Sequence, residues 1–467
     1  KQTRRREDFH EKLSNAITHL PNYCYLSSQH YSCNNTGNPV MKIEELYDIF
    51  VQGNGVSTDT RQIKAGSIFF ALKGDRFNAN AFAEEAINKG ARFAVIDEPT
   101  FRKDERFIVV PDSLVALQDL ARFHRSKLTI PVVGLTGSNG KTTSKELLST
   151  VLATKYKTYA TKGNLNNHIG VPLTLLAIDN SYEIAVVEMG ANHLGEIALL
   201  CSIAQPTHGF ITNIGKAHIG TFGGFDNIVR AKSEIFQYLL ETGGAAFINS
   251  LNPILQNMSR RFANPLTYPS HGDYYHCELI SADPYVRFRA ENGEEVQTNL
   301  IGSYNFENIA AALCIGKHFN VDPGKANQAV GSYQPGNMRS QVVNKNSNVI
   351  ILDAYNANPS SMKVAIENLA SMHAERKVLI LGDMYELEDE TEKEHRDLGQ
   401  LIQQLGFNEV YLCGKHMKVA QLEIPSARHF ETKEDLAKVL AQNPFRNATV
   451  LIKASRGIGL ETIVDYI

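Results

Sequence analysis

Residues 132–145, VVGLTGSNGKTTSK, set two glycines, a lysine and two threonines directly after a β-branched run. The run reads as a strand, Gly137–Gly140 as a turn and Lys-Thr-Thr as the first turn of a helix. That junction suits phosphate. The backbone N–H groups of Gly137, Ser138, Asn139, Gly140 and Lys141 are expected to point at an anion, because helix N-termini carry unpaired donors and the positive end of the dipole. Lys141 would add a point charge on the β- and γ-phosphates, and the Thr142 hydroxyl a Mg²⁺ ligand. The common pattern G-x-x-x-x-G-K-[ST] calls for glycine where Leu135 stands, so this is the shorter T-G-x-x-G-K-T-T form. A glycine turn that merely ends a strand would not need this combination, and nucleoside triphosphate binding is the better account.

In α/β sheets ligands gather at the carboxyl ends of strands. Glu188 follows the apolar run Ile184–Val187 and is expected as a second metal ligand. His218 follows the run 209–212; it could reach a metal or be an ordinary hydrogen-bonded histidine. Lys232 and Glu234 fall in an amphipathic helix, where their residue types alone describe a solvated ion pair. Ser57–Arg61 is a polar turn that could hold a phosphate or a uracil edge, or simply face solvent.

The elements behind these residues alternate. From 41 to about 127, strands are expected at 66–72 and 94–96, with a helix over 80–90 closed by Gly90. From Ile130 to about Pro335 the phosphate loop is followed by strands at 184–187, 209–212 and 245–248. After Pro335-Gly336 come strands at 349–352, 377–381, 410–412 and 449–452. Helical patterns between them argue for parallel sheets covered on both faces. The chain has 467 residues, 43% hydrophobic and 21% charged, which is too long for one core. Its net charge of −3 gives no reason to expect a nucleic acid or an anionic membrane as partner. Six cysteines without a C-x-x-C pair speak against a zinc site or a disulfide framework and for reduced thiols. No apolar run approaches the ~20 residues of a membrane helix. Residues 1–40 are charge-dense, then polar, and are expected to be a disordered extension; the helical pattern begins at Met41.

Nine segments, TGSNGKTT, GNLNNHIGVPLT (163–174), EMGANHLGEI (188–197), AHIGTFGG (217–224), AKSEIF (231–236), GSYNFENIAAAL (302–313), DAYNANPSSM (353–362), GDMYELED (382–389) and KASRGIGLE (453–461), occur in the order seen in Mur ligases. These are the ATP-dependent amino-acid and peptide ligases of peptidoglycan synthesis. The resemblance spans about 41–467 and implies three α/β domains. These are a small substrate-binding domain (41–127), a central P-loop ATPase domain with a mostly parallel sheet (128–336) and a C-terminal Rossmann-like domain (337–467). EMGANH, NANP and GDMxELE imply addition of D-alanyl-D-alanine to UDP-N-acetylmuramoyl-tripeptide through an acyl phosphate.

The same resemblance implies roles. Lys141, Thr143 and the loop would hold ATP, with Thr142 and Glu188 on Mg²⁺. His218 would bind a second metal together with Lys232, the lysine that becomes carbamylated in this family. Asn305 and Asn308 would lie near the adenine, and Arg339 and Asp353 would link the nucleotide to the third domain. Substrate contacts are implied for Thr60, Arg61, Asn164, Asn166, Asn167, Asn356, Asn358, Lys453, Ser455 and Arg456. A cytoplasmic monomer without nucleic-acid or membrane partners is implied as well.

Departures from the family pattern fall at Thr60, which replaces a serine, at Asn78-Ala79-Asn80 in place of Asp-Gly-His, and at Leu352, which leaves Asp353 as the one carboxylate of a usual pair. Two alternatives share the phosphate loop. Another amide ligase on this scaffold, a folylpolyglutamate synthase or a different Mur ligase, would lack GNLNN and EMGANH as written here. A P-loop switch would have no use for a third domain. A non-catalytic relative would be expected to have lost at least one of Lys141, Thr142, Glu188, His218 and Lys232.

Overall fold

The computed structural model describes residues 41–75, 77–336 and 338–467, so the expected extension at 1–40, with Cys24 and Cys33, lies outside the described residues. Three sheets organise the chain. The first has four parallel strands in the spatial order Val56–Ser57, Ile68–Phe70, Phe93–Ile96, Phe107–Val109. The expected 66–72 strand is shorter, because Gly66 turns at φ +81°. The expected 80–90 helix is also shorter. Asn78 accepts the Asn80 N–H, which winds Ala79–Phe82 into a 3-10 turn before the α-helix Ala83–Asn88.

The second sheet has six parallel strands, ordered Leu266–Tyr268, Ala245–Asn249, His208–Ile211, Val132–Thr136, Ile184–Glu188, Thr158–Ala160. The interior strands Val132–Thr136 and Ile184–Glu188 are buried at every residue, as a sheet covered on both faces requires. Val132–Thr136 is the first strand of this sheet in sequence; the chain next lays the edge strand Thr158–Ala160, fills in Ile184–Glu188, and then crosses to build outward from His208–Ile211 on the other side. The phosphate loop therefore sits at the point where the strand order reverses. Register sets Leu135 beside Glu188 and Thr136 beside Ile211, bringing the loop, the carboxylate and the 212–218 segment to one rim.

An antiparallel sheet of Glu278–Ala282, Tyr285–Arg289 and Glu295–Ile301 follows, which the alternating strand reading did not anticipate. The third main sheet, also six-stranded, runs Gln341–Lys345, Asn348–Asp353, Thr449–Lys453, Lys377–Gly382, Glu409–Cys413, Arg428–Phe430. Its first strand is antiparallel, a correction to the all-parallel expectation: a tight turn with Asn346 at φ +54° folds 341–345 back on 348–353. Cys201, Cys277, Cys314 and Cys413 are free and buried. Among the described residues no helix is long and apolar enough to cross a membrane.

Candidate active site

The phosphate loop needs its glycines. Gly137 has φ +151°, and a Cβ there would lie 1.9 Å from Thr212 Oγ1. Gly140 has φ +75°, and a Cβ would lie 2.7 Å from Asn308 Oδ1. The Ser138 N–H donates to the Asn213 carbonyl and the Asn139 N–H to Asn213 Oδ1, both at 3.0 Å. This corrects the expectation that all loop amides face an anion, since two of them are spent on Asn213. The helix Lys141–Ala153 has its first hydrogen bond from the Ser144 N–H to the Gly140 carbonyl, so the amides from Gly140 to Thr143 form its donor-rich mouth. Lys141 Nζ donates to the carbonyls of Gly137 at 2.6 Å and Ser138 at 3.2 Å rather than reaching outward. Protein around this ammonium desolvates it and lowers its pKa to about 8, against the opposing pull of Glu188.

Glu188, the last residue of a buried strand, is 1% exposed. Thr142 Oγ1 donates to its Oε2 at 3.0 Å and Asn166 Nδ2 to its Oε1 at 2.8 Å. Lys145 Nζ stands 3.9 Å from Oε2. A hydroxyl and a carboxylate are hard oxygen donors that fit Mg²⁺, an ion that keeps waters and takes phosphate oxygens to complete its shell. Among the described residues no group of three or more His, Cys, Asp or Glu could hold a metal on its own.

His218 has φ +56° and its Nδ1 pairs with Glu386 of the third sheet's region, and it lines the same cleft as Glu188. Lys232 contradicts the solvated ion-pair reading. It is 2% exposed, its Nζ donates to the Ala191 carbonyl at 3.3 Å and lies 5.3 Å from the Phe222 ring centre. Burial first, and then the charge of Lys141, push its pKa down to about 7. Glu234 instead accepts the N–H groups of Gly195 and Ala198 at the start of the preceding, neighbouring helix Glu196–Ala204.

Asn305 and Asn308 form a buried chain behind the loop. Ser144 Oγ donates to Asn308 Oδ1 at 2.9 Å, Asn308 Nδ2 to Asn305 Oδ1 at 2.9 Å, and Asn305 Nδ2 to the Ile301 carbonyl at 2.8 Å. These contacts buttress the helix mouth. Arg339 stacks 3.7 Å from the Tyr355 ring centre, with Arg456 at 5.1 Å from the same ring, and Arg339 Nε is buried without a hydrogen-bond partner. Asp353 and Lys453 are in register on adjacent strands, and Lys453 Nζ donates to Asp353 Oδ2 at 2.6 Å and to the Asn356 carbonyl at 3.1 Å. Ser455 Oγ accepts the Tyr385 N–H at 2.9 Å, which ties the last strand's end to the GDMYELED segment. Asn358 caps the helix Pro359–Ser371 and also donates to Asn139 Oδ1 at 2.8 Å.

The GNLNN asparagines divide their work. Asn166 bonds Glu188, Asn167 Oδ1 accepts the Gly170 N–H at 2.8 Å, and both line the cleft with Asn164. In the first sheet's region, Arg61 is paired with Asp59 at 2.7 Å and its side chain is 85% exposed, while Thr60 bonds Glu85; neither lines the cleft. Asn80 is buried, donating to Asp97 at 2.7 Å, so the departure at 78–80 is filled by an internal network. Sequence reasoning missed Asn213, which locks the loop, and Lys145, which faces Glu188.

The cleft that collects these groups has a volume of about 2640 Å³ and runs from Gln118 and Arg122 beside the first sheet, past Lys141 and Glu188, to Asp353 and Asn358. A triphosphate loop facing a second α/β unit across such a cleft defines an ATP-using ligase of three α/β parts. The chain belongs to the Mur ligase family: the family's catalytic domain matches residues 53–125, its middle domain 135–316 and its glutamate ligase domain 338–456. A UDP-N-acetylmuramoyl-tripeptide--D-alanyl-D-alanine ligase of Bacillus subtilis is 36% identical, over 88% of this chain and 92% of that protein. A MurF crystal structure from Acinetobacter baumannii matches with TM-score 0.80 and 30% identity, covering 90% of this chain and 97% of the other. MurF from Thermotoga maritima, solved in complex with ADP, also matches with TM-score 0.80 at 28% identity, over 90% and 97% of the two chains.

Proposed function

We infer that this chain uses ATP to join D-alanyl-D-alanine to UDP-N-acetylmuramoyl-tripeptide, forming the UDP-muramoyl-pentapeptide of peptidoglycan synthesis. One observation carries the reading. The phosphate loop, the buried Thr142–Glu188 pair and the third-domain residues Asp353, Asn358 and Lys453 line a single cleft. The full-length likeness to the Bacillus relative supports the choice of substrates. In this reading residues 41–127 take the uridine-linked sugar, with Thr60 and Arg61 at the nucleotide, 128–336 bind ATP, and 337–467 close over both.

A carboxylate is a poor electrophile. An oxygen of the tripeptide carboxylate attacks the γ-phosphorus, ADP leaves, and an acyl phosphate forms. The amine of D-alanyl-D-alanine then attacks its carbonyl carbon, loses a proton, and phosphate departs as the amide forms. The Gly140–Thr143 amides receive the phosphates, and Lys141 exchanges the loop carbonyls for phosphate oxygens. Thr142 and Glu188 would hold Mg²⁺, which supplies neutralisation of the phosphate charge when bound. Arg339 and Asp353 link the nucleotide to the third domain, Asp353 at the ribose, while Asn164, Asn166, Asn167 and Asn356 face the peptide and Lys453, Ser455 and Arg456 help close the third domain on the ligands.

Lys232, with its lowered pKa, is neutral in a substantial fraction of molecules near pH 7 and so can add CO₂; the carbamate and His218 would serve a second metal. Exclusion of water by the third domain protects the acyl phosphate from hydrolysis. In this reading the enzyme works as a monomer in the cytoplasm, where ATP and nucleotide-linked sugars are made. The test is phosphate release from ATP with UDP-N-acetylmuramoyl-tripeptide, with and without D-alanyl-D-alanine, and mass spectrometry of the product. Release that requires both, with a product heavier by one dipeptide, is expected; release indifferent to the dipeptide would leave a nucleotide hydrolase.

A further inference from the structure

Lys145 takes no part in the chemistry above, yet its side chain is only 5% exposed and its Nζ lies 3.9 Å from Glu188 Oε2. A lysine is rarely buried without a partner, and here the partner is the carboxylate that would hold the metal. Lys145 lies three positions after Thr142 on one helix, so both project from the same face toward Glu188. Lys141 is coupled electrostatically to Glu188 and to Arg339. Two cations, Lys145 in contact and Lys141 through its charge, thus act on one carboxylate, with Arg339 adding positive charge near Lys141, and no group of three or more acidic, histidine or cysteine residues makes a metal cluster among the described residues.

A divalent cation arriving alone would meet net positive charge in a poorly screened pocket. A nucleotide reverses that sign, because its phosphates bring several negative charges. We propose that Lys145 keeps free divalent cations off Glu188, so that the metal enters this cleft only together with the nucleotide. The inference rests on the reading of Thr142 and Glu188 as the Mg²⁺ ligands. Lys145 stands in for the metal while the phosphates are away, its ammonium beside the Glu188 carboxylate that Asn166 and Thr142 also hold.

The test is Mn²⁺ binding followed by electron paramagnetic resonance on the full chain. Wild type is expected to bind no Mn²⁺ at Glu188 at sub-millimolar concentration alone, and to gain, with an ATP analogue whose β- and γ-phosphates are joined by a methylene, a Mn²⁺ that Glu188→Gln abolishes. Lys145→Met should bind Mn²⁺ without nucleotide about tenfold tighter or more, whereas Lys145→Arg should behave as wild type. Lys145→Gln serves if the methionine variant does not fold. A Lys145→Met or Lys145→Gln protein that binds the analogue with Mn²⁺ but takes up free Mn²⁺ no better than wild type would overturn the proposal, as would tight Mn²⁺ binding by wild type alone. Failure of wild type to take Mn²⁺ even with the analogue, or full uptake by Glu188→Gln, would instead sink the assignment of the metal ligands.

Discussion

The side-chain amide of Asn358 donates to Oδ1 of Asn139 at 2.8 Å, so a residue of the third domain holds the phosphate loop directly. The same asparagine accepts the Ser361 N–H at 2.9 Å through Oδ1, capping the helix Pro359–Ser371. One side chain therefore serves the helix with its oxygen and the loop with its nitrogen.

Replacing one atom separates the two roles. Asn358→Asp keeps the capping acceptor but loses the donor to Asn139, so turnover is expected to fall about tenfold or more with little change in melting temperature. Asn358→Ala should lose turnover and also about 1 kcal/mol of stability from the missing cap. Steady-state kinetics beside thermal melts of both variants checks this; equal melting losses in the two would mean that the loop contact is only structural.

Lys232 should make activity depend on dissolved CO₂. Its amine, buried and held near neutral pH by desolvation and by Lys141, is nucleophilic in a way an exposed lysine is not. Depleting bicarbonate is expected to lower the ligation rate and its return to restore it, and native mass spectrometry should find the mass of one added CO₂. Lys232→Ala and Lys232→Arg should both be crippled. Near-normal turnover in either variant would reduce Lys232 to a packing residue.

Burial of that lysine was legible in the helix spacing. Ile228, Ile235 and Phe236 lie three or four residues from Lys232 and are all buried, so the lysine shares the apolar face of Phe225–Thr242. Charge type overrode face in the residue-by-residue reading. The buried strands, the phosphate loop and Glu188 were legible because each lies within one short stretch of sequence. Asn213 was not, since its grip on Ser138 and Asn139 spans more than 70 residues and depends on strand register. Likewise, the sheet Glu278–Ile301 alternates buried and exposed residues, most clearly over Tyr285–Arg289 and Glu295–Ile301, a period-2 signal that the run-of-apolar criterion passes over.

Acid should destabilise the protein partly through His208. Its Nε2 lies 3.1 Å from Nε2 of His318, and burial followed by that neighbour's charge lowers its pKa to about 4. Its unfolded value is about 6.5, so the unfolded chain binds the extra proton between these two pH values. The stability is complete above pH 6.5 and is lost as pH falls toward 4, by roughly 2–3 kcal/mol from this group. His208→Gln removes the titration, so its melting temperature should fall less than that of wild type between pH 7 and pH 5. Parallel falls would place the acid sensitivity elsewhere.

Lys216 and Glu394 bridge the second and third domains at 2.7 Å, but unequally: the lysine side chain is 43% exposed and the glutamate 4%. The Lys216 N–H also donates to Ser360 Oγ at 2.6 Å, so the backbone contact survives any change of the lysine side chain. Removing the cation strands a buried carboxylate, which is costly, whereas removing the carboxylate frees a cation that water can reach. Lys216→Met is therefore expected to lose about 2 kcal/mol or more, and Glu394→Leu clearly less, although both break the same bond. Denaturant melts order the two variants, and small-angle scattering with ATP and tripeptide substrate reads whether either fails to become compact. If Glu394→Leu proves the worse of the two, the pair is held by packing around the glutamate rather than by its charge.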